Sequence, residues 1–272
     1  MSDSTLCFSS WLEEEDKYAP FFRRMQEALR CQGADYTLLE GTRDIWCRDY
    51  MPVYGTGGKA VQFRYDPSYL KDDRFRSLPE EFLPYLDMQP VHSELNLDGG
   101  NLLLHNATAI VSERVYEENP TWNRRKVERE LIEKLELERL IVIPAESREM
   151  DMTGHADGMC RIIDDRHILL GDFAFNEKLG ENIAEIVERY GFEVLHLSVD
   201  PRYYENSGTD WLPAINYLMW EDVIYVPHTG SHYEEAVFEC MEGCFGKVVE
   251  PVLASEIVED GGALNCVSWT KK

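Results

Sequence analysis

The sequence holds one thiol, one imidazole and three carboxylates in settings that suit covalent chemistry. Cys266 closes the stretch GGALNC, His155 and Asp157 share GHADG, Asp98 opens DGG, and Asp49 ends DIWCRD. A cysteine attacks carbon as its thiolate, so it needs a cationic neighbour or a proton acceptor. His155 is the candidate. An imidazole in turn needs a carboxylate to set its tautomer and orientation, and one of the three acids can serve. Two anions are then left over, with no set of metal ligands beside them, and they call for a cationic partner. A guanidinium suits best, because it is planar and offers paired N–H donors that match a carboxylate fork. A bound cation also lets neighbouring buried carboxylates keep their charge.

Taken singly, each of these residues has an ordinary structural use. Asp49 follows Arg48 and suits an ion pair, Asp98 precedes Gly99 as turn residues do, His155 and Asp157 suit a polar loop, and Cys266 suits a buried thiol. HADG offers at most half a metal site. What joins them is spacing. With Asn216 as a fifth landmark, Asp49, Asp98, His155, Asn216 and Cys266 follow one another at intervals of 49, 57, 61 and 50 residues. This is a degenerate fivefold repeat.

The elements between the landmarks fit that period. Apolar residues at helical spacing predict helices over 13–30, 121–135, 179–191 and 234–246. Each runs into a short apolar strand, over 36–41, 139–144, 192–197 and 247–252. After Cys266 the helix and strand of the last unit are missing, and the helix and strand at the start of the chain would supply them if the repeats close into a ring. Such closure leaves no open sheet edge and turns Cys266 toward the centre with the other landmarks. The alternative is chance spacing in an ordinary α/β sheet.

Composition narrows the function classes. The 272 residues are 44% hydrophobic and show no linker or low-complexity tract, which favours one domain over 1–272. The net charge of −24 disfavours nucleic acid and anionic membranes as partners and favours small cations. The first residues lack the basic and apolar regions of a signal peptide, and no run approaches a membrane span. The seven scattered cysteines suit free thiols in a reducing cytoplasm. Cys240 and Cys244, four apart on a predicted helix, read as buried thiols rather than a zinc half-site. The sequence leaves a homo-oligomer open.

Four segments together resemble the agmatine deiminases. DIWCRDYMP resembles their W-x-R-D-x-x-P stretch, LDGGN their E-G-G segment, GHADG their G-H-V-D and GGALNC their G-G-G-N-x-H-C, in the same order and spanning positions 44 to 266. The superfamily of guanidino-group-modifying enzymes also includes arginine deiminases, dimethylarginine hydrolases, amidinotransferases and bacterial peptidyl-arginine deiminases. The resemblance implies a five-bladed α/β propeller (pentein) of ββαβ repeats, with no metal and no organic cofactor. It implies that Cys266 is the nucleophile, His155 the general acid/base and Asp98 the support of the histidine. It assigns Asp49 and Asp157 to the guanidinium and Trp46 to the wall of the substrate channel, although a core aromatic is equally consistent for Trp46. The expected reaction is hydrolysis of a small guanidine, first of all agmatine, to a ureido product and ammonia through a covalent thiouronium on Cys266. Arginine or peptidyl-arginine deimination, amidino transfer to an amine, and a non-enzymatic binding role remain as alternatives. The chain departs from the pattern in three ways: Asp98 stands where the family has Glu, the chain is shorter, and VSWTKK follows Cys266.

Overall fold

The computed structural model describes residues 4–272. Its strands form five three-stranded sheets. In chain order the strands are β1 (Thr5–Ser9) and β2 (Tyr36–Leu39), then β3 (Val53–Tyr54), β4 (Ala60–Arg64) and β5 (Val91–Asn96), then β6 (Leu102–His105), β7 (Thr108–Ser112) and β8 (Arg139–Ile143). They continue with β9 (Cys160–Ile162), β10 (His167–Leu170) and β11 (Glu193–His196), then β12 (Leu218–Trp220), β13 (Val223–His228) and β14 (Val248–Leu253), and end with β15 (Ser268–Lys271). Every sheet repeats one pattern: the first two strands pair antiparallel, and the second and third pair parallel. One sheet is assembled from both ends of the chain, in the order β15–β1–β2.

A parallel pair needs a crossover. Four of the five crossovers are helices: α1 (Ala19–Cys31), α2 (Arg124–Leu135), α3 (Glu177–Arg189) and α4 (Glu235–Phe245). Asn123 and Asn176 cap α2 and α3, each accepting a bond from a first-turn amide with its side chain. On α1, Phe21, Phe22, Met25 and Leu29 are buried on one face among Leu6, Phe8 and Val252. Burial of each such side chain contributes about 1.5–3 kcal/mol.

Three details differ from the sequence expectation. The helix expected over 13–30 is two pieces, Trp11–Glu14 and Ala19–Cys31, because Pro20 fits only the first turn of a helix. Strand β1, which leads this sheet, lies in a segment read only for the lack of a signal peptide. The crossover from β4 to β5 has only the short turns Asp73–Phe75, Pro79–Phe82 and Leu83–Leu86, in a stretch interrupted by Pro67, Pro79, Pro84 and Pro90.

The turns at the inner ends of the sheets are linked in sequence. The Gly100 amide donates to Asp49 Oδ1 at 3.0 Å and the Ala156 amide to Asn101 Oδ1 at 3.2 Å. Asn216 Nδ2 donates to the Asp157 carbonyl at 3.5 Å. The Asn265 amide donates to the Asn216 carbonyl, and the Arg48 amide to the Cys266 carbonyl, both at 3.0 Å. These five links return to the module where they began. No described helix is long and apolar enough to cross a membrane.

Candidate active site

The linked inner turns carry the landmark residues. Asp49 lies in the helical turn Cys47–Tyr50, Asp98 caps the turn Gly99–Asn101, and His155 precedes the turn Ala156–Gly158 that holds Asp157. Asn216 ends the turn Pro213–Asn216, and Cys266 lies just before β15. Chain segments far apart in sequence therefore deliver these side chains to one place. All six are buried, with 1–9% of their surface exposed.

Gly100 shows how tightly they converge. A Cβ at this position would lie 2.7 Å from Asp49 Oδ1, 2.8 Å from His155 Nδ1 and 3.4 Å from Asp157 Oδ1. The second glycine of DGGN is thus required by close approach, and its amide serves Asp49. Gly262 has the same role for Trp46, whose ring lies where a Cβ would be, 2.3 Å from its nearest atom. Trp46 is half-buried and packs against the apolar cluster of α1, as a core aromatic would.

The imidazole lies between carboxylates. His155 Nε2 is 3.0 Å from Asp98 Oδ2, and Nδ1 is 3.6 Å from Asp49 Oδ1. Burial alone would lower the pKa of His155. The Asp49 charge and the Asp98 hydrogen bond outweigh it and hold the imidazolium up to about 10. Asp49 is raised above the usual carboxylate range, chiefly by burial, with the His155 charge opposing.

The thiol has other partners. Cys266 Sγ lies 3.3 Å from Asn216 Oδ1 and 3.8 Å from Asp157 Oδ2. Among the described residues no hydrogen bond joins it to His155, the neighbour expected to serve it as a cation or a proton acceptor. The reason is visible in the ring: both nitrogens are turned to acids. Burial, then Asp157 and Asp49, push the Cys266 thiol well above its usual value.

Three asparagines support this frame, and the sequence reading gave none of them a role. Asn216 Oδ1 accepts from the Asn265 and Cys266 amides at 3.1 and 3.3 Å. Asn265 Nδ2 donates to Asp157 Oδ2 at 2.6 Å. Asn101 Oδ1 ties the amides of Ser112 and Ala156. Asn216 fell on the repeat period, which is the signal that could have found it; Tyr69, whose hydroxyl donates to Asp98 Oδ2 at 2.8 Å, had none. Arg48 is not a surface ion pair: its guanidinium is drawn inward, and its Nε donates to the Asn265 carbonyl at 3.3 Å. Cys240 and Cys244 are half-buried rather than buried, with sulfurs 4.0 Å apart.

A family model described as Porphyromonas-type peptidyl-arginine deiminase matches residues 18–271. The chain belongs to this family. Solved structures agree with that membership in fold. The Campylobacter jejuni agmatine deiminase is 16% identical, with 98% of this chain and 92% of that chain covered and a TM-score of 0.75. A Cys-to-Ser form of that enzyme with substrate bound is 17% identical over the same shares, with a TM-score of 0.74. DDAH from Pseudomonas aeruginosa, a Cys-to-Ser mutant complexed with citrulline, is 14% identical, with 98% of each chain covered and a TM-score of 0.62. No curated protein is similar enough in sequence to match. The chain thus shares the α/β fold of these structures.

Proposed function

We propose that this chain hydrolyses a small guanidine compound, first of all agmatine, to a ureido product and ammonia. We read its five sheets as the blades of one five-bladed α/β propeller (pentein) domain, sealed by the sheet that joins the two ends of the chain. One observation carries the reading. Asp49, Asp157 and His155 present atoms within 3.4 Å of a single point, while Cys266 Sγ touches Asp157. Family membership and the likeness in fold to agmatine deiminase, one structure of which holds its substrate, support it.

In this reading the substrate adds a second cation beside the His155 imidazolium. A guanidinium seated against Asp49 and Asp157 relieves the repulsion between these buried acids and offsets the anions that raise the thiol. The Cys266 proton passes to solvent as substrate binds, and the thiolate attacks the central carbon. A tetrahedral adduct forms, with one new C–S bond. His155, charged at neutral pH, gives its proton to the departing nitrogen, the C–N bond breaks and ammonia leaves. A thiouronium remains on Cys266. His155, now neutral, takes a proton from water as it attacks the same carbon. The C–S bond then breaks, the adduct's hydroxyl gives up its proton to the sulfur, and the ureido product and the thiol are released. Asp98 orients the imidazole through Nε2. Electrostatic stabilisation and positioning supply most of the rate.

A second substrate has one observation in its favour. Arg48 lies within the field of Asp157, Cys266 and Arg161, so cations stand near the anionic centre and can meet the carboxylate of an arginine. A panel of agmatine, free arginine, methylated arginines and arginyl peptides, scored by ureide formation, separates the two. Agmatine is expected to give the highest kcat/KM. A preference for arginine moves the assignment to the second substrate, and a folded chain that forms no ureide from any of them refutes the hydrolase reading.

A further inference from the structure

Asp98 has two donors where the proposed mechanism uses one. Its Oδ2 faces His155 Nε2 at 3.0 Å and also accepts the Tyr69 hydroxyl at 2.8 Å. The Tyr69 ring stands edge-on to the imidazole, with centroids 6.3 Å apart and planes at 68°. Burial, then the nearby Asp98 charge, push the phenol well above its usual pKa, so it stays protonated and acts as a donor.

The loop bearing Tyr69 is fastened on two sides. Asp66 and Asn96 exchange bonds, Asp66 N to Asn96 Oδ1 at 2.8 Å and Asn96 Nδ2 to the Asp66 carbonyl at 2.7 Å. Asn96 lies two residues before Asp98, so loop and carboxylate share an anchor. On the other side Glu118 accepts from the Ser68 amide at 2.8 Å and from its hydroxyl at 2.5 Å. Arg148 braces both, with Nη1 3.2 Å from Ser68 Oγ and Nη2 3.0 Å from Glu118 Oε1. Arg148 belongs to the segment that leads into His155. The phenol is thus held against the site by bonds to both flanking segments.

We infer that Tyr69 is a positioning residue that acts through Asp98 on His155: its hydroxyl holds Oδ2 toward Nε2 and, by sharing that oxygen, keeps Asp98 from gripping the imidazolium proton too firmly. A carboxylate that gives part of its negative charge to a second donor is a weaker acceptor for the first. The groups facing His155 are Asp49 from the turn Cys47–Tyr50, Asp98 from the turn Gly99–Asn101, Asp157 from its own turn and Tyr69 from the loop. Of these, only Tyr69 works against proton retention without carrying charge.

The kinetic side of this inference rests on the proposed hydrolase reading; the titration side does not. Histidine titration by NMR of the full chain with 15N-labelled histidine reports His155 directly, its signal identified by loss in His155→Gln. In Tyr69→Phe the His155 midpoint is expected to rise by about half a unit or more, with kcat down about tenfold and KM little changed. Glu118→Gln, which loosens the strap without touching the site, is expected to move the midpoint in the same direction by less. In an Asp98→Asn background Tyr69→Phe should add nothing further. An unchanged or lowered midpoint in folded Tyr69→Phe, or full additivity with Asp98→Asn, overturns the inference. A chain without guanidine turnover that still shows the upward shift rejects the proposed reaction and keeps Tyr69 in its place.

Discussion

Acids serve opposite ends in two regions of this molecule. On the surface, Asp200 and Asp72 each meet a nearby arginine, Arg202 and Arg74. Their side-chain hydrogen bonds to those arginines hold them below the usual carboxylate range, Asp200 at about 2. At the centre, Asp49, Asp98 and Asp157 are buried around a single imidazole, and burial raises Asp49 instead. Surface pairs are satisfied but screened, so they contribute little. At Asp49 burial outweighs the His155 charge, so under the proposed function this acid gains when a guanidinium arrives. Stability is sacrificed where binding is proposed, as expected of functional sites.

The contrast breaks most sharply at the nucleophile. Cys266→Ala should keep the fold and lose about 10⁴-fold or more in kcat; ammonia release at the wild-type rate would remove the thiol from the mechanism. Asp157→Asn neutralises one arm of the proposed clamp, and steady-state kinetics should show kcat/KM down roughly a hundredfold or more. An unchanged kcat/KM would free Asp157 from substrate capture. Under the proposed reaction, the pH dependence follows from the two shifted groups. Asp49 has a raised pKa and must lose its proton to bind a guanidinium, so kcat/KM climbs as pH rises through a range above that of ordinary carboxylates. His155 must hold a proton to release ammonia, so kcat falls as pH passes about 10. A profile already flat at acidic pH would contradict the raised Asp49. Asp49→Asn can keep the bond from Gly100 while removing a buried charge. It should abolish turnover yet raise Tm by about 2–4 °C, the shift that ~1 kcal/mol gives in a domain of this size. At the rim, Asp200→Asn should leave both kcat/KM and Tm unmoved within error; a clear loss in either would end the distinction between the two regions.

The same contrast explains what could be read from the sequence. The four long helices were legible because each keeps an apolar stripe of 3.6-residue period, as in Val127, Leu131 and Leu135 of α2. The repeat was legible because Asp49, Asp98, His155, Asn216 and Cys266 mark successive inner turns. Two facts were not. The crossover from β4 to β5 has no stripe to read, because its short turns are set by proline and tertiary contacts. Tyr69 sits in that same irregular stretch, and its approach to Asp98 depends on Asn96, Glu118 and Arg148, which no local pattern connects. The partners of the thiol were also out of reach. Residue types suggested His155, whereas the orientation of the ring depends on carboxylates from two other modules.

The sheet β15–β1–β2 pairs the strand after Cys266 with strands that precede the other four sheets in the chain. On the ribosome, β1 must therefore wait with an open side while the other four sheets emerge. Until residues 268–271 arrive, Cys266 has no fixed address, and a growing chain holds Asp49, Asp98 and Asp157 before the thiol can join them.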